Sequence, residues 1–144
     1  MRLTQFTDYA IRLLIWLADH EPGCRITIGE SAAFLDIPIN HLTKIAHRLA
    51  RENLLRSSRG RSGGLWLARR LGEITVGEVI RVTEPDFALV ACMAGQACSL
   101  GERCKLVPSL DAALAAFLQV MDGITLEDIV LERRCVGASV GQTV

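Results

Sequence analysis

Three cysteines within a short stretch are the residues of this sequence whose type and spacing could do chemistry. Five residues separate Cys92 from Cys98, and five more separate Cys98 from Cys104, with glycines between them that favour a loop. Thiolate suits zinc and iron–sulfur clusters. Structural zinc usually takes closely spaced ligand pairs, and clusters usually take four ligands. The spacing favours a cluster whose fourth ligand is a residue elsewhere or a small molecule, with zinc or a thiol-redox switch as alternatives.

The charge of the chain is divided between its two halves. Residues 1–70 carry eleven Lys and Arg against six Asp and Glu, a net charge of +5, whereas residues 71–144 carry five against ten, a net charge of −5. A basic half suggests nucleic acid as a partner. No run of 18 apolar residues and no signal-peptide pattern is present. We therefore expect a cytoplasmic protein with reduced thiols and no membrane partner.

The basic half has the pattern of a helix-turn-helix. Apolar residues from Phe6 recur at helical spacing, and Thr27 with Glu30 forms a capping-box pattern that begins a short second helix. Asn40 is predicted to be the N-cap of a third helix that runs through residues 41–55, with an apolar stripe and a basic outer surface. A short helix, a turn and a basic helix are typical of DNA-binding domains.

Residues 54–70 are predicted to form a β-hairpin directly after this recognition helix. Gly60, Gly63 and Gly64 lie at its tip beside Arg59 and Arg61. A hairpin in this position is a wing, and its arginines could enter a minor groove. An ordinary charged hairpin is the alternative, but the order of helix and hairpin favours DNA binding.

The acidic half is predicted to place the cysteine loop between two helices. Thr75 caps the first, which ends before Pro85, and Thr125 caps a last short helix. Between them, apolar residues recur at intervals of three and four, which predicts a long helix that pairs with a second copy of the chain, unless it only covers its own core. The residues of this seam are Val107, Leu110, Leu114, Phe117 and Met121.

The predicted fold class is mainly α with a small β-hairpin, a winged helix-turn-helix plus a long dimerisation helix. We assign residues 1–70 to the winged helix-turn-helix DNA-binding domain and residues 71–106 to a connecting helix and cluster-binding loop. Residues 107–144 then form the dimerisation helix and a C-terminal tail.

The chain also resembles a known family, the dimeric winged-helix iron–sulfur transcription regulators of bacteria. The likeness extends from residue 1 to about residue 131. It is carried by the opening MRLTQFTDYAIRLL, the wing RGRSGGLWL, the segment ITVGEVIRVTEP and the C-x5-C-x5-C loop followed by a long helix. The resemblance implies a homodimer that binds double-stranded operator DNA and is not an enzyme.

Within that family, the fourth ligand of the cluster separates the branches. One branch has a histidine three residues after the third cysteine, where this chain has Val107. The nitric-oxide-sensing branch has an acidic residue in the first helix, here Asp8, that reaches the cluster of the other subunit. The resemblance thus implies a [4Fe–4S] cluster (alternatively [2Fe–2S]) held by Cys92, Cys98, Cys104 and Asp8, and a repressor that releases DNA on nitrosylation. An iron- or cluster-status regulator and a zinc or thiol-redox regulator are the alternatives.

The resemblance also implies which residues contact DNA. Carried over by position, they lie at the start of the second helix, on the third helix and at the tip of the wing: Thr27, Asn40, His41, Lys44, Arg48, Arg59, Arg61 and Ser62. Cys24 and Cys135 lie outside the cysteine motif.

Overall fold

The computed structural model describes residues 2–20, 24–58, 60 and 63–130, apart from the side chain at position 102. Arg59, Arg61 and Ser62 at the wing tip, and Cys135, lie outside the described residues. The helices are α1 (Gln5–Ala18), α2 (Ile28–Leu35), α3 (Ile39–Arg51), α4 (Val76–Thr83), α5 (Leu106–Asp122) and α6 (Leu126–Ile129). The strands are β1 (Leu55–Ser58) and β2 (Gly64–Leu67), and short 3-10 turns occupy Leu71–Glu73, Ala91–Ala94 and Gly101–Arg103.

Threonine side chains begin four of the helices. Thr4, Thr27, Thr75 and Thr125 each accept a hydrogen bond from the backbone N–H three residues later. This contact satisfies one of the N–H groups that an α-helix leaves unpaired at its start. The predicted caps at Thr27, Thr75 and Thr125 are confirmed.

The third helix begins and ends earlier than the sequence suggests. Its N-cap is Pro38, whose carbonyl accepts from the N–H groups of His41 and Leu42, so the prediction of Asn40 as N-cap is wrong. Proline fixes φ near the value at the start of a helix, and the turn therefore closes without a capping side chain. The helix ends at Arg51 because Asn53 adopts a positive φ of 56° and turns the chain towards β1.

The core lies between α1 and α3 and is closed by residues from the acidic half. A single cluster of buried apolar residues contains members from residues 1–70, 71–106 and 107–144. Fully buried members include Leu13, Leu14, Leu42, Ile45, Leu49, Ile74, Val79 and Leu126. Burial of each such side chain stabilises the folded protein by roughly 1.5–3 kcal/mol.

The wing is an antiparallel hairpin in which Leu55 pairs with Leu67 and Ser58 pairs with Gly64. The segment before α2 extends this sheet, because the N–H of Leu65 donates to the carbonyl of Ile26 at 2.7 Å. The hairpin is therefore fastened to the helix-turn-helix on two sides, by chain continuity with α3 and by the bridge to Ile26.

The long helix α5 contains no buried residue. The five residues of its predicted seam are only partly buried in the single chain, and Leu106 and Val120 are 54% and 60% exposed. Its last turn packs against α4. In the part of the chain that the structure describes, no helix is long and apolar enough to span a membrane.

Candidate cluster pocket and DNA-binding face

The three clustered cysteines line a single pocket of about 380 Å³. Cys92 lies in the 3-10 turn Ala91–Ala94, which Gly95 ends with a φ of 84°. Cys104 directly follows the turn Gly101–Arg103, whose Gly101 has a φ of 51°. Glycine adopts these positive φ values without steric cost. The two glycine-dependent turns thus bend the loop so that three thiols separated along the sequence border the same space.

The potential metal ligands that line this pocket are three thiols. Cys98 is exposed, Cys92 and Cys104 are partly buried, and all three are free thiols. Among the described residues, no three His, Cys, Asp or Glu side chains lie close enough to hold one metal ion. A cluster occupies more room than one ion, and thiolates are its usual ligands.

Among the described residues, the wall of the pocket offers three thiols and no histidine, carboxylate or fourth cysteine. The other residues that line it are Gln96, Gly101 and Val107. Val107 stands where one branch of the resembled family has a histidine, and its apolar side chain cannot bind iron. The described part of the pocket wall therefore supplies only the three cysteines as ligands of this kind.

Asp8, the predicted fourth ligand, lies on α1 and does not line the cysteine pocket of its own chain. Its carboxylate pairs with Arg12 one turn later, with an Oδ2–Nη2 distance of 2.9 Å and an Nε–Oδ1 distance of 3.1 Å. The side chain is nearly half exposed. The predicted ligation joins two subunits and stays a prediction. If Asp8 binds the cluster, its carboxylate must give up the ion pair with Arg12 or keep it while it binds iron.

The start of α1 is nevertheless fixed against the start of the cysteine loop. The backbone N–H and the hydroxyl of Thr4 both donate to Glu84 Oε1, at 2.8 Å and 3.1 Å. Glu84 is the C-cap of α4, and the chain continues from it into the loop. The helix that carries Asp8 and the loop that carries the cysteines therefore share one anchoring point within the chain.

The recognition helix presents all four of its predicted DNA contacts on the surface. Asn40, His41 and Lys44 are exposed, and the ring of His41 lies 6.1 Å from that of Tyr9. Arg48 is exposed as well, but its guanidinium makes contacts within the chain, among them a pair with Glu52, the C-cap of the same helix, at 3.9 Å. Its Nε donates to the carbonyl of Val82 at 2.9 Å, so this guanidinium contacts α4.

Thr27 is engaged by its own helix terminus. Its hydroxyl donates to Glu30 Oε2 at 2.8 Å, and its oxygen accepts from the N–H of Glu30 at 3.1 Å. The hydrogen bonds from the backbone and side chain of Thr27 hold the pKa of the Glu30 carboxyl below its usual value. A contact between Thr27 and a DNA phosphate stays a prediction. Its hydroxyl would have to make that contact in addition to, or in place of, its hydrogen bonds in the capping box.

Sequence reasoning missed the polar contacts of α4. Arg69 lies 2.6 Å from Glu78, and Arg81 pairs with Asp122 at the end of α5. The only signal in the sequence is the three-residue spacing of Glu78 and Arg81, which makes them neighbours on the helix surface. That spacing does not indicate their partners.

Fold and site together define a winged-helix DNA-binding regulator. The family model described as Rrf2, iron-dependent transcriptional regulator, matches residues 3–132. The chain belongs to the Rrf2 family. The predicted fold class is thereby confirmed, as is the prediction that the protein is not an enzyme.

A curated relative and two solved structures show the extent of the similarity. The HTH-type transcriptional regulator NsrR of Shouchella clausii is 40% identical over 133 residues, which cover 91% of this chain and 89% of the relative. IscR of T. potens superposes with a TM-score of 0.69 at 23% identity, covering 90% of this chain and 85% of that one. Oxidised CymR of Staphylococcus aureus superposes with a TM-score of 0.70 at 24% identity, covering 90% and 96%. The similarity to NsrR confirms the resemblance inferred from the sequence.

Proposed function

We propose that this chain forms a homodimeric repressor that senses nitric oxide through a [4Fe–4S] cluster and releases operator DNA on nitrosylation. The observation that carries the proposal is the single pocket lined by Cys92, Cys98 and Cys104. It is supported by the 40% identity to a transcriptional regulator named NsrR. The proposed ligands are those three cysteines and the partner subunit's Asp8.

The proposed ligand set combines three strong donors with one weak one. Thiolates are soft ligands that suit iron–sulfur clusters, whereas a carboxylate is a hard ligand. When bound, the cluster would supply iron that reacts with nitric oxide. In this chain Arg12 already holds the Asp8 carboxylate by two hydrogen bonds. A carboxylate with a ready alternative partner can leave the cluster without being stranded as an unpaired charge.

The exposed apolar residues of α5 support the dimer. Leu106 and Val120 are more than half exposed, and no residue of the helix is fully buried within the single chain. A helix with an apolar stripe normally buries it, and a second copy of the same helix would do so. In such a dimer each cluster would join two subunits, and the spacing of the two recognition helices would depend on that linkage.

Release of DNA then follows from loss of the linkage. The recognition helices of a two-fold dimer must match two half-sites about one helical turn apart, roughly 34 Å. Without the inter-subunit ligand, the DNA-competent arrangement becomes a minor state. The apparent affinity for DNA then falls in proportion to the fraction of dimers in that arrangement. The repressed genes would then be expressed.

The decisive test is operator binding by the anaerobically purified protein during titration with nitric oxide. The probe is a duplex that the wild-type protein selects from a random pool. We expect iron and acid-labile sulfide in the protein, and loss of binding as nitric oxide is added. A colourless, sulfide-free protein would exclude the cluster in favour of zinc or thiol chemistry. Binding that follows iron supply but ignores nitric oxide would indicate an iron- or cluster-status regulator.

Substitution of single cysteines provides the matched control. Cys98→Ala removes a thiol that lines the pocket, and Cys24→Ala removes a free thiol that does not. We expect the first variant to lose iron and sulfide and the second to retain both. Equal cluster content in the two variants would refute the assigned ligand set.

A further inference from the structure

The eight-residue helix α4 is tied to both parts of the DNA-binding half. On one side, Arg48 of the recognition helix donates through Nε to the carbonyl of Val82 at 2.9 Å. On the other, Arg69, which follows the wing, donates to Glu78 at 2.6 Å and to the carbonyl of Asn53 at 3.2 Å. Recognition helix and wing base therefore each hold α4 by an arginine.

The same helix is tied to the elements that flank the cysteine loop. Arg81 forms a two-pronged ion pair with Asp122 at the end of α5, with an Nη2–Oδ2 distance of 2.8 Å. Glu84, at the end of α4, accepts two hydrogen bonds from Thr4 at the start of α1. The cysteine loop leaves α4 directly after this point and enters α5. A change in the conformation of the cysteine loop therefore acts on α4, which contacts both the DNA-binding half and the helices α1 and α5.

We infer that Arg48 is a positioning residue for DNA binding, and that α4 transmits the arrangement of the cysteine loop to the recognition helix through it. This inference rests on the proposed function. Arginine presents its donors in a rigid planar fork, so its Nε–H cannot follow an acceptor that moves without turning the whole group. The backbone of α4 moves as a unit because each turn is hydrogen-bonded to the next. A shift of α4 larger than the Arg48 side chain can follow would therefore break the contact with Val82 or move α3.

The competing role for Arg48 is a direct contact with a DNA phosphate. A phosphate contact weakens binding uniformly when lost, and it lowers the slope of log affinity against log salt by about one. A positioning contact instead changes how strongly DNA affinity depends on the cluster. The two roles are thus separated by two measurements on the same variant, the salt slope and the response ratio. We define the response ratio as Kd of the cluster-free protein divided by Kd of the cluster-loaded protein for one duplex.

The first pair of variants compares two cations on the same helix. Arg48→Gln removes the contact with α4, whereas Lys44→Gln removes an exposed charge that makes no hydrogen bond or ion pair among the described residues. We expect Arg48→Gln to lower the response ratio by about fivefold or more, as expected for loss of a typical coupling between two sites. Lys44→Gln should lower the salt slope and leave the ratio unchanged.

The second pair of variants tests the α5 side of the connection without touching the recognition helix. Asp122→Asn removes the negative partner of Arg81, and Asp111→Asn makes the same change at an exposed position of α5 without a described ion pair. We expect the response ratio to fall in the first variant only. The double variant Arg81→Glu with Asp122→Arg reverses the pair and should restore it. Iron content and dimer mass confirm that each variant is assembled.

The outcomes separate this inference from the proposed function. A response ratio equal to that of the wild type in both Arg48→Gln and Asp122→Asn would overturn the role of α4 while leaving the cluster sensor intact. A wild-type protein whose DNA affinity ignores the cluster would instead overturn the proposed function. A reduced ratio in both variants, with restoration by charge reversal, supports the connection through α4.

Discussion

A methyl group added at Gly77 is expected to destabilise the protein by separating α4 from α5. A Cβ at this position would lie 2.8 Å from the backbone nitrogen of Asp122, and it would also meet the Asp122 side chain. Distances below 3.0 Å between such atoms require one of them to shift. The backbone of a helix end is not a flexible neighbour, and Gly77→Ala must therefore move the two helices apart or distort one of them.

The size of the effect follows from two opposing contributions. Alanine is favoured over glycine in a helix by up to about 1 kcal/mol. Forcing one extra carbon into a packed contact costs roughly 1–3 kcal/mol. Because the Cβ would meet a backbone atom at 2.8 Å, the steric cost lies at the upper end of that range, roughly 2–3 kcal/mol. Subtraction of the helix preference leaves a net loss of about 1–2 kcal/mol in the free energy of unfolding. That loss lowers the Tm by about 2–8 °C for a chain of this size, measured at fixed protein concentration because the protein is proposed to be a dimer.

The chain contains a closely matched control for this substitution. Gly29 and Gly77 are each the second residue of an eight-residue helix, after a threonine N-cap and before a glutamate. A Cβ at Gly29 would meet only Thr27 Oγ1, at 3.9 Å. Gly29→Ala should leave the Tm unchanged or raise it, since the helix preference is the same and the steric cost is absent. Equal Tm shifts in the two variants would refute the reasoning from the contact with Asp122.

Three further predictions concern charge. Asp8→Ala removes an exposed pair with Arg12, so it should change the free energy of unfolding by no more than about 0.5 kcal/mol; cluster lifetime or the nitric oxide response should change, and an unchanged response would contradict ligation. Arg59→Ala should weaken DNA binding in a fluorescence anisotropy titration without loss of iron. An unchanged affinity would show that the wing does not contribute to DNA binding through this residue. The hydrogen bond from Arg81 lowers the pKa of Asp122. The stabilisation from this pair is therefore full above the usual pKa of an aspartate and is lost as the pH falls through the lowered pKa. The Tm difference between wild-type cluster-free protein and Asp122→Asn should disappear in that acidic range, and a difference that persists there would exclude the ion pair as its cause.

Helix starts could be predicted from the sequence because their signals are local. A threonine and the N–H that it accepts lie three residues apart, and the caps at Thr27, Thr75 and Thr125 are therefore visible without knowledge of the fold. The exception has a local cause as well. Asn40 has a better capping side chain than Pro38, but proline already holds the backbone in a conformation from which the helix begins.

The cysteine loop was predictable as a shared site, but its geometry was not. Spacing indicates that Cys92, Cys98 and Cys104 belong together, since nothing between them forms a long regular element. The two turns that bring them to one pocket depend on positive φ values at Gly95 and Gly101, and several conformations of a glycine-rich loop are equally compatible with the sequence.

The contacts of α4 show why the rest could not be predicted. Thr4 and Glu84 are separated by 80 positions, and Arg81 and Asp122 by 41. The spacing of apolar residues along the chain predicts which of them are buried. The two residues of a long-range polar pair follow no such spacing, and they meet only once packing has brought their elements together. The same limit applies with greater force to Asp8, because its proposed cluster ligands belong to another subunit. A charge on α1 that is paired with Arg12 in its own chain looks like an ordinary surface ion pair until a second copy is placed beside it. Residues that join elements or subunits are therefore the ones for which substitution experiments add most to the sequence.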